Sequence, residues 1–204
     1  MKKWLLAAAL GGLATVAFAA QPTGADAKIM VEQQSALILK RLASNKALYQ
    51  KNPDAFADLV REEVLPHMDF DVMARFVLGR HWNSATPAQR SAFTSAFRDL
   101  LVRVYSRGWT NYTGASVDVL GTPQVDQYQR TVIRAQVTAN DGQKNTIVFN
   151  LRFKDGAWKI YDVSFQNVSI LTSYRNTFDS DINRNGLDAL IAKVRTMKPE
   201  DVQQ

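Results

Sequence analysis

Along the first half of the chain, apolar residues recur every three to four positions with polar residues between them, the period of helices that bury one face. This spacing predicts a helix from Ala25 to Tyr49, with Ile29, Leu37 and Leu42 among its apolar positions, broken at Asn52-Pro53. A second helix opens with Pro53 in its first turn, carries Phe56, Leu59 and Val60, and stops before Pro66. A third, from Asp69 to Leu78, places Phe70, Met73, Phe76 and Val77 at helical spacing and ends at Gly79. Thr86-Pro87-Ala88-Gln89 supplies a capping hydroxyl, a proline at the first helical position and a glutamine three residues after the cap. That is a capping box. The helix it opens is expected to reach about Tyr112, with Phe93, Phe97, Leu100, Leu101, Val104 and Tyr105 along one stripe.

After Gly114 the period changes to two. Val117 and Val119 alternate with polar residues, and Thr131, Ile133, Ala135 and Val137 alternate with Val132, Arg134, Gln136 and Thr138. Asn140-Asp141-Gly142 is a hairpin signal, because Asp-Gly takes the positive φ angles that such turns need. In the next strand Ile147, Phe149, Leu151 and Phe153 share one face. Lys154-Asp155-Gly156 turns the chain again, and Trp158 to Gln166 forms the last strand. Ser169 can cap a helix carrying Ile170, Tyr174 and Phe178, Gly186 breaks it, and Leu187 to Met197 closes the chain as a short helix. Four helices, about four antiparallel strands and two further helices define an α+β fold. The expected arrangement is a helical lobe packed on a twisted antiparallel sheet. Pattern alone does not distinguish a packed interior from one that opens around a ligand.

The N-terminus changes the picture. Lys2 and Lys3 precede an apolar run from Trp4 to Phe18, and the small residues around Ala17-Phe18-Ala19-Ala20 precede polar Gln21 and Pro22. This is the pattern of a cleavable export signal over residues 1–20, followed by a single domain over 21–204. The apolar run is shorter than the roughly 20 residues a membrane span needs. The expected location is therefore beyond a bacterial inner membrane. Losing Lys2 and Lys3 lowers the formal charge from +6 to +4. A mildly basic exported protein suits anionic lipid or acidic partners and makes nucleic acid an improbable target. With no cysteine, the fold rests on its core and a lipid-anchored form is excluded.

Catalytic signals are thin. The two histidines, His67 and His81, lack the spacing of a helical zinc site. Asp69 and Asp71 can in principle bind a metal or move protons, but acidic residues at a helix start more simply cap its free amides. Gly79-Arg80-His81-Trp82 can grip an anion; a helix stop followed by a packed loop explains it better. Arg98, Arg103 and Arg107 lie in a row along the long helix and read as a solvated basic edge. No nucleophile elbow, P-loop or dinucleotide fingerprint is present.

The stretch VLGRHWNSATPAQRSAFTSAFRDLLVRVY, Val77 to Tyr105, resembles the MlaC family of periplasmic phospholipid-binding proteins, also called toluene tolerance proteins of the Ttg2 system. Residues Trp158 to Phe178 look like that family's Trp-x-x-Tyr-Asp-Val strand and its turn into a helix, followed by Gly186-Leu187-Asp188-x-Leu190. Asn167 stands where the family usually has glycine, and asparagine tolerates a left-handed backbone better than most residues. The resemblance implies a non-enzymatic, monomeric carrier in the periplasm of a Gram-negative cell that moves phospholipid between the outer-membrane MlaA complex and the inner-membrane MlaFEDB transporter, preserving outer-membrane lipid asymmetry. It implies an apolar pocket between helical lobe and sheet, with bound phospholipid as cargo and no cofactor, metal or catalytic residue. The residues expected to contact lipid are Phe97, Leu101, Val104, Tyr105, Ile133, Val137, Ile147, Phe149, Leu151, Val163, Phe165, Ile170 and Tyr174. Two alternatives stay open: a periplasmic hydrolase acting on an apolar substrate through His67, Asp69 and Asp71, and a protein–protein adaptor whose apolar faces are simply core.

Overall fold

A computed structural model describes residues 21–106 and 112–201. The expected export signal, Arg107 and the end of the chain lie outside the described residues. Helix α1 runs Gly24–Ser44, capped by Thr23 in a box with Asp26. The long first helix expected from the apolar period is interrupted at Asn45, after which α2 covers Lys46–Lys51. Asn52 caps α3, Pro53–Glu63, by accepting from the amides of Asp54 and Ala55. A 3-10 turn, Leu65–His67, leads to α4, Phe70–Leu78. Asp69 caps α4, and Gly79 ends it with a φ of +52°. A side chain at Gly79 would press on the Arg175 guanidinium at about 3.0 Å and adopt a disfavoured backbone. A four-residue α5, His81–Ser84, precedes α6, Pro87–Tyr105, whose Thr86–Gln89 capping box forms as its sequence requires.

The five strands are β1 (Ser116–Leu120), β2 (Arg130–Thr138), β3 (Lys144–Lys154), β4 (Ala157–Phe165) and β5 (Val168–Ser169). They form an antiparallel sheet in sequence order. The fifth strand was not anticipated. It consists of two residues joined to β4 through Gln166 and Asn167, both with positive φ, as in a primed hairpin turn. Asn167 thus holds the left-handed backbone that glycine would adopt easily. Helix α7, Ile170–Asn185, starts at the Ser169 cap, and α8, Leu187–Thr196, follows Gly186.

The interior has three parts. Helices α4, α6, α7 and α8 share the largest core, in which Phe93, Phe97, Tyr174 and Phe178 pack edge to face or stacked. The inner face of the sheet buries Ile133, Leu151 and Trp158 against Ala27 and Val31 of α1. A smaller cluster of Leu42, Tyr49, Phe56 and Leu59 binds the end of α1 to α2 and α3. Met68 makes a parallel bridge to Ile160, and the Asp69 amide donates to the Ile160 carbonyl at 2.8 Å. This covers the edge of β4 that short β5 leaves unpaired. No described helix is long and apolar enough to cross a membrane.

Candidate functional site

A cavity of about 340 Å³ lies where the small α1–α2–α3 cluster meets the helical core and β4. Its volume falls within the roughly 300–1,000 Å³ range of ligand pockets. One wall comes from Ile38 of α1, Phe56, Leu59 and Val60 of α3, and Val64, Leu65 and Met68 of the following connection. The other comes from Phe70 and Met73 of α4, Leu101, Val102 and Tyr105 of α6, Val163 of β4, and Ile170 and Leu171 of α7. Among the described residues, the Tyr105 hydroxyl is the one polar side-chain group in this lining, and no charged residue contributes. A lining with no charge and a single hydroxyl among its described residues favours hydrocarbon, because a polar occupant would leave most of its own groups unpaired.

The strand contribution depends on an irregularity. Ile160 pairs with Leu151, but Asp162 pairs with Asn150, so Tyr161 is an extra residue in β4. This bulge places Val163, opposite Phe149, on the same sheet face as Ile160. Simple alternation would put them on opposite faces. The junction from β4 to α7 is fixed by Asp162, which accepts from the Ser169 hydroxyl at 2.8 Å and the Leu171 amide at 3.5 Å. Burial pushes the Asp162 carboxyl above its ordinary range, and Ser169 opposes that shift.

Of the residues expected to line a pocket, Leu101, Tyr105, Val163 and Ile170 line this cavity. The other nine lie outside its lining. Phe97 and Tyr174 are buried behind the cavity in the aromatic core, and Val104 packs against that core. Ile133 and Leu151 lie fully buried in the sheet cluster under α1, with Phe149 packed against them. Val137 is buried opposite Val117, and half-buried Ile147 pairs with Phe165, itself 38% exposed. Alternation had identified the inward sheet face correctly, yet α1 covers most of it. Sequence reading missed the α3 wall and the Val64–Met73 segment. The Phe56, Leu59 and Val60 stripe was the available signal.

The candidate chemical groups have structural employment. Asp69, 3% exposed, caps α4 through the Val72 amide and faces Arg152 at 3.5 Å and Lys154 at 3.6 Å. Asp71 is exposed, and burial pushes the His67 imidazole below its ordinary range. His81 lies 2.9 Å from Asp179, which also accepts from Arg80. Arg103 does not form a solvated edge: it donates to the Val194 and Met197 carbonyls at the end of α8. No cluster of metal-ligand side chains occurs among the described residues. A larger groove of about 630 Å³ on the outer sheet face is lined by polar and charged groups, including Asp126, Arg130 and Arg134. It is open and unsuited to enclosing hydrocarbon.

The described residues thus form an α+β domain with an apolar cavity where its helices meet β4. The family model for the MlaC protein matches residues 32–196, and the chain belongs to that family. It is 22% identical over 170 residues to the intermembrane phospholipid transport system binding protein MlaC of Haemophilus influenzae, covering 82% of this chain and 79% of that protein. It is 26% identical over 160 residues to the toluene tolerance protein ttg2D of Pseudomonas putida, covering 78% and 74% of the two chains. A phospholipid-binding protein from Ralstonia solanacearum, solved in complex with a phospholipid, has the same fold with a TM-score of 0.78. That match has 23% identity and covers 88% of this chain and 99% of the other.

Proposed function

We propose that this protein is a periplasmic phospholipid carrier that holds acyl chains in the α3–α4–α6–α7 cavity and leaves the headgroup in water. The carrying observation is the charge-free lining of that cavity. Each methylene exposed to water costs about 0.8 kcal/mol, so an acyl chain of about 16 carbons faces a barrier on the order of 13 kcal/mol when it crosses water unescorted. Enclosing the chain removes that barrier. Enclosing the phosphate would instead require a buried cation, which the described residues of the lining do not provide.

The names of the family relatives support the same role, and the partners that fit it are the outer-membrane MlaA complex and the inner-membrane MlaFEDB transporter. The cavity floor on α4, α6 and α7 belongs to the main core, whereas its roof on α3 belongs to the small cluster. Lipid enters by separating these two apolar surfaces. Mixing purified protein with donor vesicles of labelled phosphatidylglycerol and unlabelled acceptor vesicles tests the reading. Transfer that rises with protein concentration, without vesicle fusion, is expected; transfer no faster than in buffer alone would contradict it.

A further inference from the structure

Tyr174 carries a buried polar atom that the fold leaves unused. Its side chain is 4% exposed, and its ring packs edge to face on Phe97, with centroids 5.2 Å apart, and against Phe178. Its hydroxyl makes no well-formed hydrogen bond among the described residues and has only the Tyr105 phenol interacting with it. Buried tyrosine hydroxyls normally find a partner, and leaving one unpaired costs as much as a lost hydrogen bond. The position is informative. Tyr174 lies one helical turn beyond Ile170 and Leu171, both on the cavity wall, and its hydroxyl neighbours that of Tyr105.

Tyr105 lines the cavity and is 50% exposed, so it marks the rim where hydrocarbon gives way to solvent. Both phenols are pushed above the ordinary tyrosine range, chiefly by burial, and therefore stay protonated donors at neutral pH. A neutral acceptor suits these surroundings better than an anion: among the described residues the cavity lining holds no cation, and Arg103 is engaged with the Val194 and Met197 carbonyls. What fits a neutral donor set just behind the rim of a hydrocarbon chamber is a neutral acceptor at the head of an acyl chain.

We propose that the Tyr174 hydroxyl, reached past a displaced Tyr105, donates a hydrogen bond to an ester carbonyl of the bound lipid, so that the cavity discriminates ester-linked from ether-linked chains. This rests on the phospholipid-carrier reading and adds linkage chemistry to it. A site that hydrogen-bonds a carbonyl rejects the analogue lacking one, because its own buried group is then left unpaired.

The test uses protein stripped of lipid, refolded, and titrated with diacyl phosphatidylglycerol and with its dialkyl ether analogue of equal chain length. Wild type is expected to prefer the diacyl form by roughly threefold to tenfold, the range of one neutral hydrogen bond. Tyr174→Phe keeps the ring packing and is expected to bind both lipids alike, with the lipid-free variant no less stable than wild type. Equal binding of both lipids by wild type, or a preference that survives in Tyr174→Phe, would overturn the inference while leaving the carrier reading intact. Binding of neither lipid by wild type would overturn both.

Discussion

Placing a carboxylate at Leu101 probes the cavity through the energetics of proton uptake. Leu101 is 9% exposed and lies on the α6 wall, and among the described residues the lining holds no cation to receive a negative charge. In Leu101→Glu the lipid-free cavity can admit water around the carboxylate, so its pKa stays near the ordinary value of about 4.3. Bound hydrocarbon expels that water, and the acid must then be buried charged or take up a proton. Proton uptake is the cheaper route and sets a ceiling on the penalty. At pH 7 it costs about 3.7 kcal/mol, from about 1.36 kcal/mol for each of roughly 2.7 pH units. Lipid affinity should therefore fall by up to about 500-fold at pH 7 and by only about fivefold at pH 5.

Titration of stripped protein with a fluorescent phospholipid at the two pH values reads this directly. Leu101→Gln serves as the control, being polar at both and therefore free of pH dependence. A loss in Leu101→Glu that is equally deep at pH 5 and pH 7 would refute the reasoning, because the defect would then be structural. Full affinity at pH 7 would show that lipid does not cover this wall.

Other outcomes follow from the packing. Thr86→Ala removes the capping box of α6 and should cost about 1 kcal/mol, lowering Tm by about 2–4 °C in a thermal melt while lipid retention persists. Phe178→Ala empties a fully buried position against Phe93, Phe97 and Tyr174 and should cost about 3–5 kcal/mol in denaturant unfolding. The Asp181 carboxylate, 10% exposed and 2.7 Å from the Lys193 ammonium, is held below its ordinary value of 3.8 chiefly by that hydrogen bond. A depressed carboxyl contributes its stability above the unfolded value and loses it as pH falls through the folded one. Asp181→Asn should thus be less stable than wild type at pH 7, with the gap closing by about pH 2; a gap independent of pH would contradict the assignment.

Much of the fold was legible because local chemistry determined it. Thr86, Pro87 and Gln89 started α6, Asp69 and Gly79 bounded α4, and Asp141-Gly142 set the β2–β3 turn, each through backbone groups within a few residues. The break at Asn45 was hidden because neither glycine nor proline marks it, and β5 because two residues carry no period. The cavity was only partly legible for a different reason. Alternation shows which way Ile133 and Leu151 point, but not that α1 closes over them while a cavity stays open beside α3. The Tyr161 bulge moved Val163 to the inner face against simple alternation. Long-range packing, not pattern, decides where apolar faces part.

Native mass spectrometry of the protein purified from cells without detergent addresses the central claim most directly. The account predicts a species heavier than the polypeptide by the mass of a phospholipid, which collisional activation releases and lipid extraction identifies. A bare polypeptide mass under conditions that preserve the fold would contradict it.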